Sequence, residues 1–403
     1  MTSGHFKELF NPIKIGNMLL RNRVAMAPMS TNFGTPQNPG AVTEKHKNYY
    51  TNRAIGGVGL IVIEATNVNP SSNARKYSLS LHADKFVAEF GALVRSIKKY
   101  GAKCAIQLSH SGRIGPLKVD SSGKMDKKAA LKFPSYAVSP LVHPVTGLIP
   151  EQLSRKQLND IIGYFVDAVK RARMAGFDAV ELHGAHGYLL NEFVSPHTNH
   201  RTDEYGGCFD NRCRFPIELV RRVKSAVGDD IVLSYRLSVV DGGISWQEVV
   251  LFAQKLQKHG VQILHVSAGI NETIATMEKV IPPKSYPKAR LAAYSEKLKK
   301  ATEIPVMVAQ RIETPELANE IISKGQADLV ALGRPLISDP CWVDKARRGR
   351  QEDIQSCIYC NQGCIASIIR EKSLNCINNP GAGSGKGICL SNGAKLAVEK
   401  EPG

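Results

Sequence analysis

The feature that most constrains the fold of this chain is a repeated alternation of short β-branched runs with longer amphipathic stretches. This alternation is typical of parallel α/β architecture, in which each strand is followed by a helix that covers the sheet. The helical stretches include Arg155–Ala175, Arg212–Ala226, Trp246–His259 and Pro315–Lys324, the last with Thr314 as its N-cap. The eight predicted strands are Val24–Ala27, Leu60–Ala65, Lys103–Leu108, Ala179–Leu182, Ile231–Leu237, Ile263–Ser267, Val306–Ala309 and Leu329–Leu332. Eight such units over about 330 residues predict a closed (β/α)8 TIM barrel, an α/β fold.

The chain has 403 residues, which is enough for this barrel and a further segment. We assign residues 1–350 to the barrel, 351–380 to a cysteine-rich segment and 381–403 to a flexible tail. One long insertion, from Gly112 to Glu151, separates the third predicted strand from its helix and is rich in Pro, Ser and Lys. It is expected to overhang the barrel mouth, either as a solvated loop or as a loop that covers the substrate.

The formal net charge of +17 first raises the question of nucleic-acid binding. The basic residues are spread along the chain, with the densest groups at 124–132 and 297–300, and no aromatic-interleaved module accompanies them. We therefore expect a solvated basic surface; the alternative is a surface that attracts an anionic substrate such as a coenzyme A thioester. No apolar run reaches the length of about 18 residues that a membrane span needs, and the N-terminus lacks a signal-peptide pattern. The expected location is cytoplasmic.

Polar residues and glycine follow the predicted strands at one end of the barrel. In a TIM barrel the carboxyl ends of all strands meet at one mouth, where active sites form. The loops after the seventh and eighth strands are the usual phosphate seat, so backbone N–H groups and Arg334 are expected to hold a phosphate there. The residues at this mouth are Ser30, Thr31, Glu64, Gln107, His183, Arg236, Gln310, Arg311, Gly333 and Arg334.

The end of the fourth predicted strand carries the most chemical information. In the segment ELHGAHGYLL, His183 and His186 are three residues apart, and Tyr188 follows two residues later. Two hydrogen-bond donors and one phenol therefore leave the tip of a single strand. Such a set is suited to grip a carbonyl oxygen and to deliver a proton beside it.

Cysteines crowd the end of the chain. Of the nine cysteines, Cys357, Cys360, Cys364, Cys376 and Cys389 all fall within the last 50 residues. In a chain with no secretion signal, this crowding favours metal ligation over disulfides. Four soft thiolates close together suit an iron–sulfur cluster or a zinc ion, and their spacing alone does not separate the two.

Several segments resemble the old yellow enzyme family of FMN-dependent oxidoreductases. They occur in family order along the barrel and read LFNPIKIGNMLLRNRVAMAPMS, GLIVIEA, AIQLSHSGR, HGAHGYLLNEFVSPHTNHRTDEYGG and ADLVALGRPLISDP. The motif CIYCNQGC, followed by Cys376, resembles the iron–sulfur branch of that family. That branch includes 2,4-dienoyl-CoA reductase, 2-enoate reductase and trimethylamine dehydrogenase.

The resemblance implies a set of cofactors and a role for each residue. It implies FMN across the barrel mouth, NAD(P)H as electron donor, and a [4Fe–4S] cluster held by Cys357, Cys360, Cys364 and Cys376. His183 and His186 are implied to hydrogen-bond the substrate carbonyl oxygen, and Tyr188 to protonate the α-carbon. The implied flavin-binding residues are Pro28, Met29, Ser30, Ala65, Gln107, Arg236, Gln310, Arg311, Gly333 and Arg334. Cys389 has no counterpart in the family.

The sequence departs from the family pattern in three places. Gln310 stands where the family usually has glycine, so it either shifts the flavin phosphate or contacts it through its side-chain amide. Ser30 stands where trimethylamine dehydrogenase attaches its flavin, and serine cannot form that thioether, so we expect non-covalent FMN. The iron–sulfur relatives continue into FAD- and NAD(P)H-binding domains, so a separate reductase partner is one expectation for this shorter chain.

The leading hypothesis is an FMN-dependent oxidoreductase that reduces the C=C bond of an α,β-unsaturated carbonyl compound. The substrate would be a small molecule, either an enoate, an enone or an enoyl thioester. Two alternatives stay open: an amine or N-demethylating dehydrogenase of the same branch, and a catalytically weak flavin- or metal-binding protein. No nucleic-acid or membrane partner is expected, and a homo-oligomer is left open.

Overall fold

The computed structural model of the protein describes residues 6–69, 77–114, 136–142, 147–241 and 243–383. Most of the insertion between Gly112 and Glu151 lies outside these ranges, and so does the basic group at 124–132. Residues 384–403, which include Cys389 and most of the predicted tail, also lie outside them. Within the described ranges, no helix is both long and apolar enough to cross a bilayer.

Eight parallel strands close into a barrel, which confirms the predicted (β/α)8 fold. The strands along the chain are β1 (Ile13–Ile15), β2 (Met18–Leu20), β3 (Val24–Met26), β4 (Leu60–Asn67), β5 (Lys103–Ser109), β6 (Tyr136–Ala137), β7 (Glu151–Gln152), β8 (Ala179–Gly184), β9 (Val232–Ser238), β10 (Ile263–Ser267), β11 (Val306–Val308) and β12 (Leu329–Leu332). The barrel order is β3-β4-β5-β8-β9-β10-β11-β12, and β12 pairs with β3 to close the ring. Each of the eight predicted strands overlaps one barrel strand, with its ends shifted by a few residues at most.

Helices follow the barrel strands and cover the outside of the sheet. They are α1 (Lys7–Phe10), α2 (Glu44–Ile55), α3 (Val87–Lys98), α4 (Arg155–Met174), α5 (Leu189–Val194), α6 (Phe209–Val227), α7 (Trp246–Lys258), α8 (Ile274–Val280), α9 (Ala292–Ala301), α10 (Pro315–Ser323), α11 (Arg334–Ser338), α12 (Trp342–Arg347) and α13 (Ser367–Ile369). Side-chain caps fix the starts of several of them. The Ser154 hydroxyl accepts from the Gln157 N–H at the start of α4, and Thr314 accepts from the Leu317 N–H at the start of α10.

Two apolar cores hold the barrel together. The larger one lies between the strands and the helices, and the smaller one fills the inside of the barrel. Ile15, Met18 and Leu20 of the β1–β2 hairpin belong to the inner core. The hairpin therefore plugs the amino-terminal end of the barrel, and the opposite mouth stays open for a ligand.

The cysteine-rich segment folds back over the rim of this open mouth. It consists of short turns, including a π-helical turn at Gln362–Ala366, and its backbone hydrogen-bonds to the barrel. The Leu374 N–H donates to the Thr31 carbonyl at 2.8 Å. The Asn32 Nδ2 group donates to the Ile368 carbonyl at 3.1 Å. These contacts hold the cysteines beside the carboxyl end of β3.

Candidate active site

A single cleft at the open mouth brings together the residues that the sequence analysis assigned to the flavin and to catalysis. It is an open cleft of about 1210 Å³, a volume that includes solvent space at its mouth. The predicted residues that line it are Pro28, Met29, Ser30, Ala65, Gln107, His183, His186, Tyr188, Arg236, Gln310, Arg311, Gly333 and Arg334.

His183, His186 and Tyr188 form one compact aromatic cluster on the cleft wall. The His183 ring centroid lies 5.0 Å from that of His186 and 4.8 Å from that of Tyr188, in edge-to-face arrangements. His186 has a left-handed backbone (φ 67°), and its carbonyl accepts from the Asn271 N–H at 3.0 Å. The turn after β8 thus folds the second histidine and the tyrosine back beside the first.

The two histidines are buried and neutral. Burial, and then the nearby positive charge of Arg236, lowers the pKa of His183 to about 3. The same two causes hold the pKa of His186 well below its usual value. Within the described chain, the buried His183 Nδ1 has no hydrogen-bond partner, whereas the His186 Nε2 lies 2.6 Å from the Ser267 hydroxyl. The rings can therefore act as hydrogen-bonding groups, and they do not act as acids near neutral pH.

A buried polar network underlies the cleft, and the sequence analysis missed two of its members, Glu181 and His265. Glu181 accepts from Gln107 Nε2 at 2.7 Å, and one of its oxygens lies 2.8 Å from His265 Nδ1. Burial alone would raise the pKa of Glu181, but His265, Arg236 and His183 together lower it to about 2. The carboxylate therefore orients Gln107 and balances the charge of Arg236.

The pairing of strands explains why this network was missed. Gln107 on β5 stands opposite Glu181 on β8, and Arg236 on β9 stands opposite both His183 and His265. Glu181 lies inside the HGAHGY segment that already drew attention, and alternation along β8 puts it on the same face as His183. That alternation was the available signal for Glu181. His265 gave no comparable sign within its apolar strand.

Arg236 places a buried cation at the cleft, and not all of its N–H groups are hydrogen-bonded to the described residues. Its Nη2 lies 3.5 Å from the Ser267 hydroxyl, and its buried Nε has no hydrogen-bond partner among the described residues. A fixed, buried guanidinium with a spare donor suits a ligand on which negative charge develops. The resemblance implies that Arg236 binds the flavin, and that role stays a prediction.

The Gln310 side chain is held at the edge of the cleft by three hydrogen bonds. Its Nε2 donates to the Lys279 and Val280 carbonyls at 2.8 and 3.1 Å, and its Oε1 accepts from Arg290 Nε at 2.9 Å. Its backbone is left-handed (φ 80°), a conformation that favours glycine. Both hydrogens of the Gln310 amide are used in these bonds, so the side chain has no free donor for a phosphate.

The two arginines on this side of the cleft have different surroundings. The Arg311 Nε donates to Glu313 at 3.0 Å, and its Nη1 donates to the Pro283 carbonyl at 3.3 Å, so its charge is already balanced. Arg334 is 8% exposed and donates through Nη1 to Asn361 Oδ1 at 2.7 Å. Among the described residues, Arg334 forms no ion pair with a carboxylate. Burial lowers its pKa, so an anion beside it would relieve an unpaired buried charge.

Gly333 precedes Arg334 in the chain and lines the cleft without a side chain. A Cβ atom at this position would stand 3.0 Å from the Met29 sulfur, which is closer than side-chain carbons normally approach. Together with the unpaired charge of Arg334 and the spare donor of Arg236, this small residue makes the cleft fit an anionic, planar cofactor such as FMN.

The four predicted cluster ligands border one small cavity next to the cleft. Cys357, Cys360, Cys364 and Cys376 are free thiols that all line this cavity, and Cys364 also lines the large cleft. Burial raises the pKa of Cys364 to about 11, so its thiol stays protonated without a metal. In the part of the chain that the structure describes, no three His, Cys, Asp or Glu side chains stand close enough together to hold a metal ion. The donors are of the right kind, and the iron–sulfur cluster stays a prediction.

Comparisons with known proteins match this chain to one family of oxidoreductases. The sequence profile of the NADH:flavin oxidoreductase / NADH oxidase family matches residues 8–353. The chain is 41% identical over 384 residues to an NADH oxidase of Thermoanaerobacter brockii, covering 94% of this chain and 57% of that protein. It is 30% identical over 404 residues to a cinnamate reductase of Clostridium sporogenes, covering 94% and 59%.

A solved structure shares the architecture. It is a 2-naphthoyl-CoA reductase in complex with 2-naphthoyl-CoA, which superposes with a TM-score of 0.86 at 26% identity. The match covers 94% of this chain and 58% of that one. The chain thus spans somewhat more than half the length of each of these relatives.

Proposed function

This chain belongs to the NADH:flavin oxidoreductase / NADH oxidase family, and from that premise we propose that it is an FMN-dependent reductase of α,β-unsaturated carbonyl compounds. Its electrons come from NAD(P)H, directly or through a partner protein. The observation that carries the proposal is the buried, neutral pair His183 and His186 beside Tyr188, in the same cleft as Arg236.

The histidines bind the carbonyl oxygen of the substrate. Because both rings are neutral, each offers one N–H donor without transferring a proton to the oxygen. Their hydrogen bonds strengthen as negative charge develops on that oxygen, so they stabilise the transition state more than the bound substrate. When bound in the cleft, FMN supplies the hydride that the β-carbon receives.

Tyr188 completes the reaction as a general acid. Its ring lies against His183, and the Asn271 amide nitrogen lies 3.5 Å from its hydroxyl. The phenol donates its proton to the α-carbon of the substrate. A tyrosine suits this step because a neutral phenol can release a proton while the two histidines keep the oxygen in place.

Serine at position 30 makes the flavin non-covalent in this proposal, because a hydroxyl does not form the thioether that a cysteine forms. The four cysteines bind a [4Fe–4S] cluster, which when present supplies single-electron transfer. The assignment rests on the CIYCNQGC motif and on the four free thiols that line one cavity; in the described chain, these thiols do not converge closely enough to hold a metal ion.

The compounds named for two relatives support the proposed class of substrate. Cinnamate, the substrate named for one relative, is an α,β-unsaturated carboxylate, and a naphthoyl thioester carries a carbonyl next to an unsaturated carbon. Either compound presents the carbonyl oxygen that the histidine pair would bind. Oxidising an amine requires no hydrogen bonds to a carbonyl oxygen, so the paired histidines argue against an amine dehydrogenase.

The test is an anaerobic assay of the purified protein after reconstitution with FMN, iron and sulfide. We expect flavin absorption bands, and oxidation of NADH or NADPH on addition of cinnamate or cyclohexenone. Turnover of a tertiary amine without turnover of either carbonyl compound would contradict the proposal. A colourless protein that takes up no FMN would support the catalytically weak alternative.

A stopped-flow measurement separates the two routes for electrons. If NADH alone reduces the flavin within the turnover time, no separate reductase is needed. If reduction by NADH or NADPH is far slower than turnover with a chemical reductant such as dithionite, a partner protein delivers the electrons.

A further inference from the structure

Tyr359 belongs to the cysteine-rich segment, yet it lines the large cleft rather than the cysteine cavity. It stands between Cys357 and Cys360 in the motif CIYCNQGC, and it is only 4% exposed. The sequence analysis gave it no role. Its position brings a side chain of the cluster segment to the same side of the cleft as Arg334.

The backbone of Tyr359 is held in an unusual conformation. Its φ is 55°, in the left-handed region that a bulky residue rarely adopts, and its N–H donates to the Cys357 sulfur at 3.3 Å. Non-glycine residues kept in this region occur preferentially at functional sites, because the surrounding structure must hold them there. The strained backbone of Tyr359 therefore favours a functional contact of its side chain.

Two guanidinium groups lie against the tyrosine ring. The Cζ atom of Arg334 is 4.5 Å from the ring centroid, and that of Arg311 is 4.9 Å away. Both distances are within the range of cation–π contacts. Arg311 is balanced by Glu313, whereas Arg334 faces no carboxylate among the described residues. The surroundings of Tyr359 therefore carry one buried positive charge in excess, which attracts an anion.

The Tyr359 hydroxyl has no hydrogen-bond partner in the described chain, although its oxygen is fully buried. Buried polar groups are nearly always paired, because an unpaired one loses its bonds to water without compensation. A phenol O–H beside an unpaired arginine is suited to an anionic oxygen atom. The missing partner is thus expected to come from a ligand in the cleft.

We propose that the Tyr359 hydroxyl donates a hydrogen bond to the phosphate of the bound flavin mononucleotide, beside the guanidinium of Arg334. The proposal rests on the proposed function, because it requires that the cleft binds FMN. It also makes the cysteine-rich segment part of the flavin site, since the residue that binds the phosphate lies between two predicted cluster ligands.

The test compares two flavins that differ only in the phosphate. Flavin-free protein is titrated anaerobically with FMN and with riboflavin, and binding is followed by quenching of flavin fluorescence. For Tyr359→Phe we expect the dissociation constant of FMN to rise by about tenfold, the loss of one hydrogen bond to a charged group. The dissociation constant of riboflavin should not change, because riboflavin has no phosphate.

Tyr49→Phe is the matched control. Tyr49 is also buried, its hydroxyl also lacks a partner among the described residues, and the Arg53 Cζ atom lies 3.7 Å from its ring centroid. It does not line the cleft, so its variant should bind both flavins like the parent protein.

Two results would overturn the inference. One is a Tyr359→Phe variant that binds FMN as tightly as the parent, and the other is an equal loss of affinity for FMN and riboflavin, which indicates a structural role. A parent protein that binds neither flavin would instead refute the proposed function, so the two failures are distinguishable.

Discussion

Replacing Gln310 with glycine is expected to destabilise the protein by about 2 kcal/mol, although glycine is the residue that the backbone at this position favours. The gain is the relief of a left-handed backbone at φ 80°, which for a non-glycine residue costs about 1–2 kcal/mol. Part of that gain is cancelled, since glycine loses more conformational entropy on folding, by about 0.5–1 kcal/mol.

The loss comes from the Gln310 side chain, which connects the loop after β11 to the end of α8. It makes three hydrogen bonds, to the Lys279 and Val280 carbonyls and with Arg290 Nε. At about 1 kcal/mol each, these bonds contribute about 3 kcal/mol, which exceeds the net relief of strain. The side chain is thus expected to stabilise an unfavourable backbone rather than to bind the flavin phosphate.

The assay is a urea titration of flavin-free protein, followed by tryptophan fluorescence and by circular dichroism. Coincident curves from the two probes are required before a free energy of unfolding is derived. Arg290→Ala serves as the partner variant, because it removes one of the three bonds without changing the backbone at position 310. In the double variant, the effects of Gln310→Gly and Arg290→Ala should fall short of additivity by about 1 kcal/mol.

The reasoning is refuted if Gln310→Gly is as stable as the parent or more stable. That result would mean that backbone strain outweighs the three side-chain bonds. Full additivity in the double variant would show that the Arg290 contact contributes nothing to stability.

Three further predictions concern the catalytic cluster and the cysteines. Tyr188→Phe should lower turnover of an enone by at least about 10²-fold, while stopped-flow reduction of the flavin by NAD(P)H is unchanged; equal loss in both half-reactions would contradict the general-acid role. Burial, and then Arg236, lowers the pKa of His183 from 6.5 to about 3, so the folded state excludes a proton that the unfolded chain binds. The contribution of His183 to the free energy of unfolding is complete above pH 6.5 and is lost as the pH falls toward 3. In urea titrations at a series of pH values, His183→Gln should reduce the fall of the free energy of unfolding over that range. Cys360→Ser should abolish the broad cluster absorption after anaerobic reconstitution and leave the flavin bands, whereas Cys208→Ser, a change at an exposed thiol, should leave both.

The strands and helices could be predicted because their signals are local. Alternating β-branched and amphipathic runs report on a few neighbouring residues at a time, and eight repeats allow a closed barrel. His183, His186 and Tyr188 could also be predicted from the sequence, because they fall within six consecutive positions at the end of one strand. The same holds for the Thr314 cap, which lies three residues from the N–H that it accepts from.

Contacts between distant strands were beyond the sequence alone. Gln107 and Glu181 are 74 residues apart, and only the pairing of β5 with β8 puts their side chains 2.7 Å from each other. The hydrogen bonds of the Gln310 side chain could not be predicted either, because its partners Lys279 and Val280 lie at the end of α8, 31 and 30 residues earlier in the chain.

The sequence by itself determined the barrel, the mouth at which the polar residues gather and the chemical types of the candidate donors. The tertiary structure alone decided which of those groups are buried, paired or left with a free donor. The unpaired charge of Arg334 and the unpartnered hydroxyl of Tyr359 illustrate the difference. The physical reason is that burial and pairing depend on every element packed around a group, whereas strand and helix periodicity depends on its neighbours in the chain.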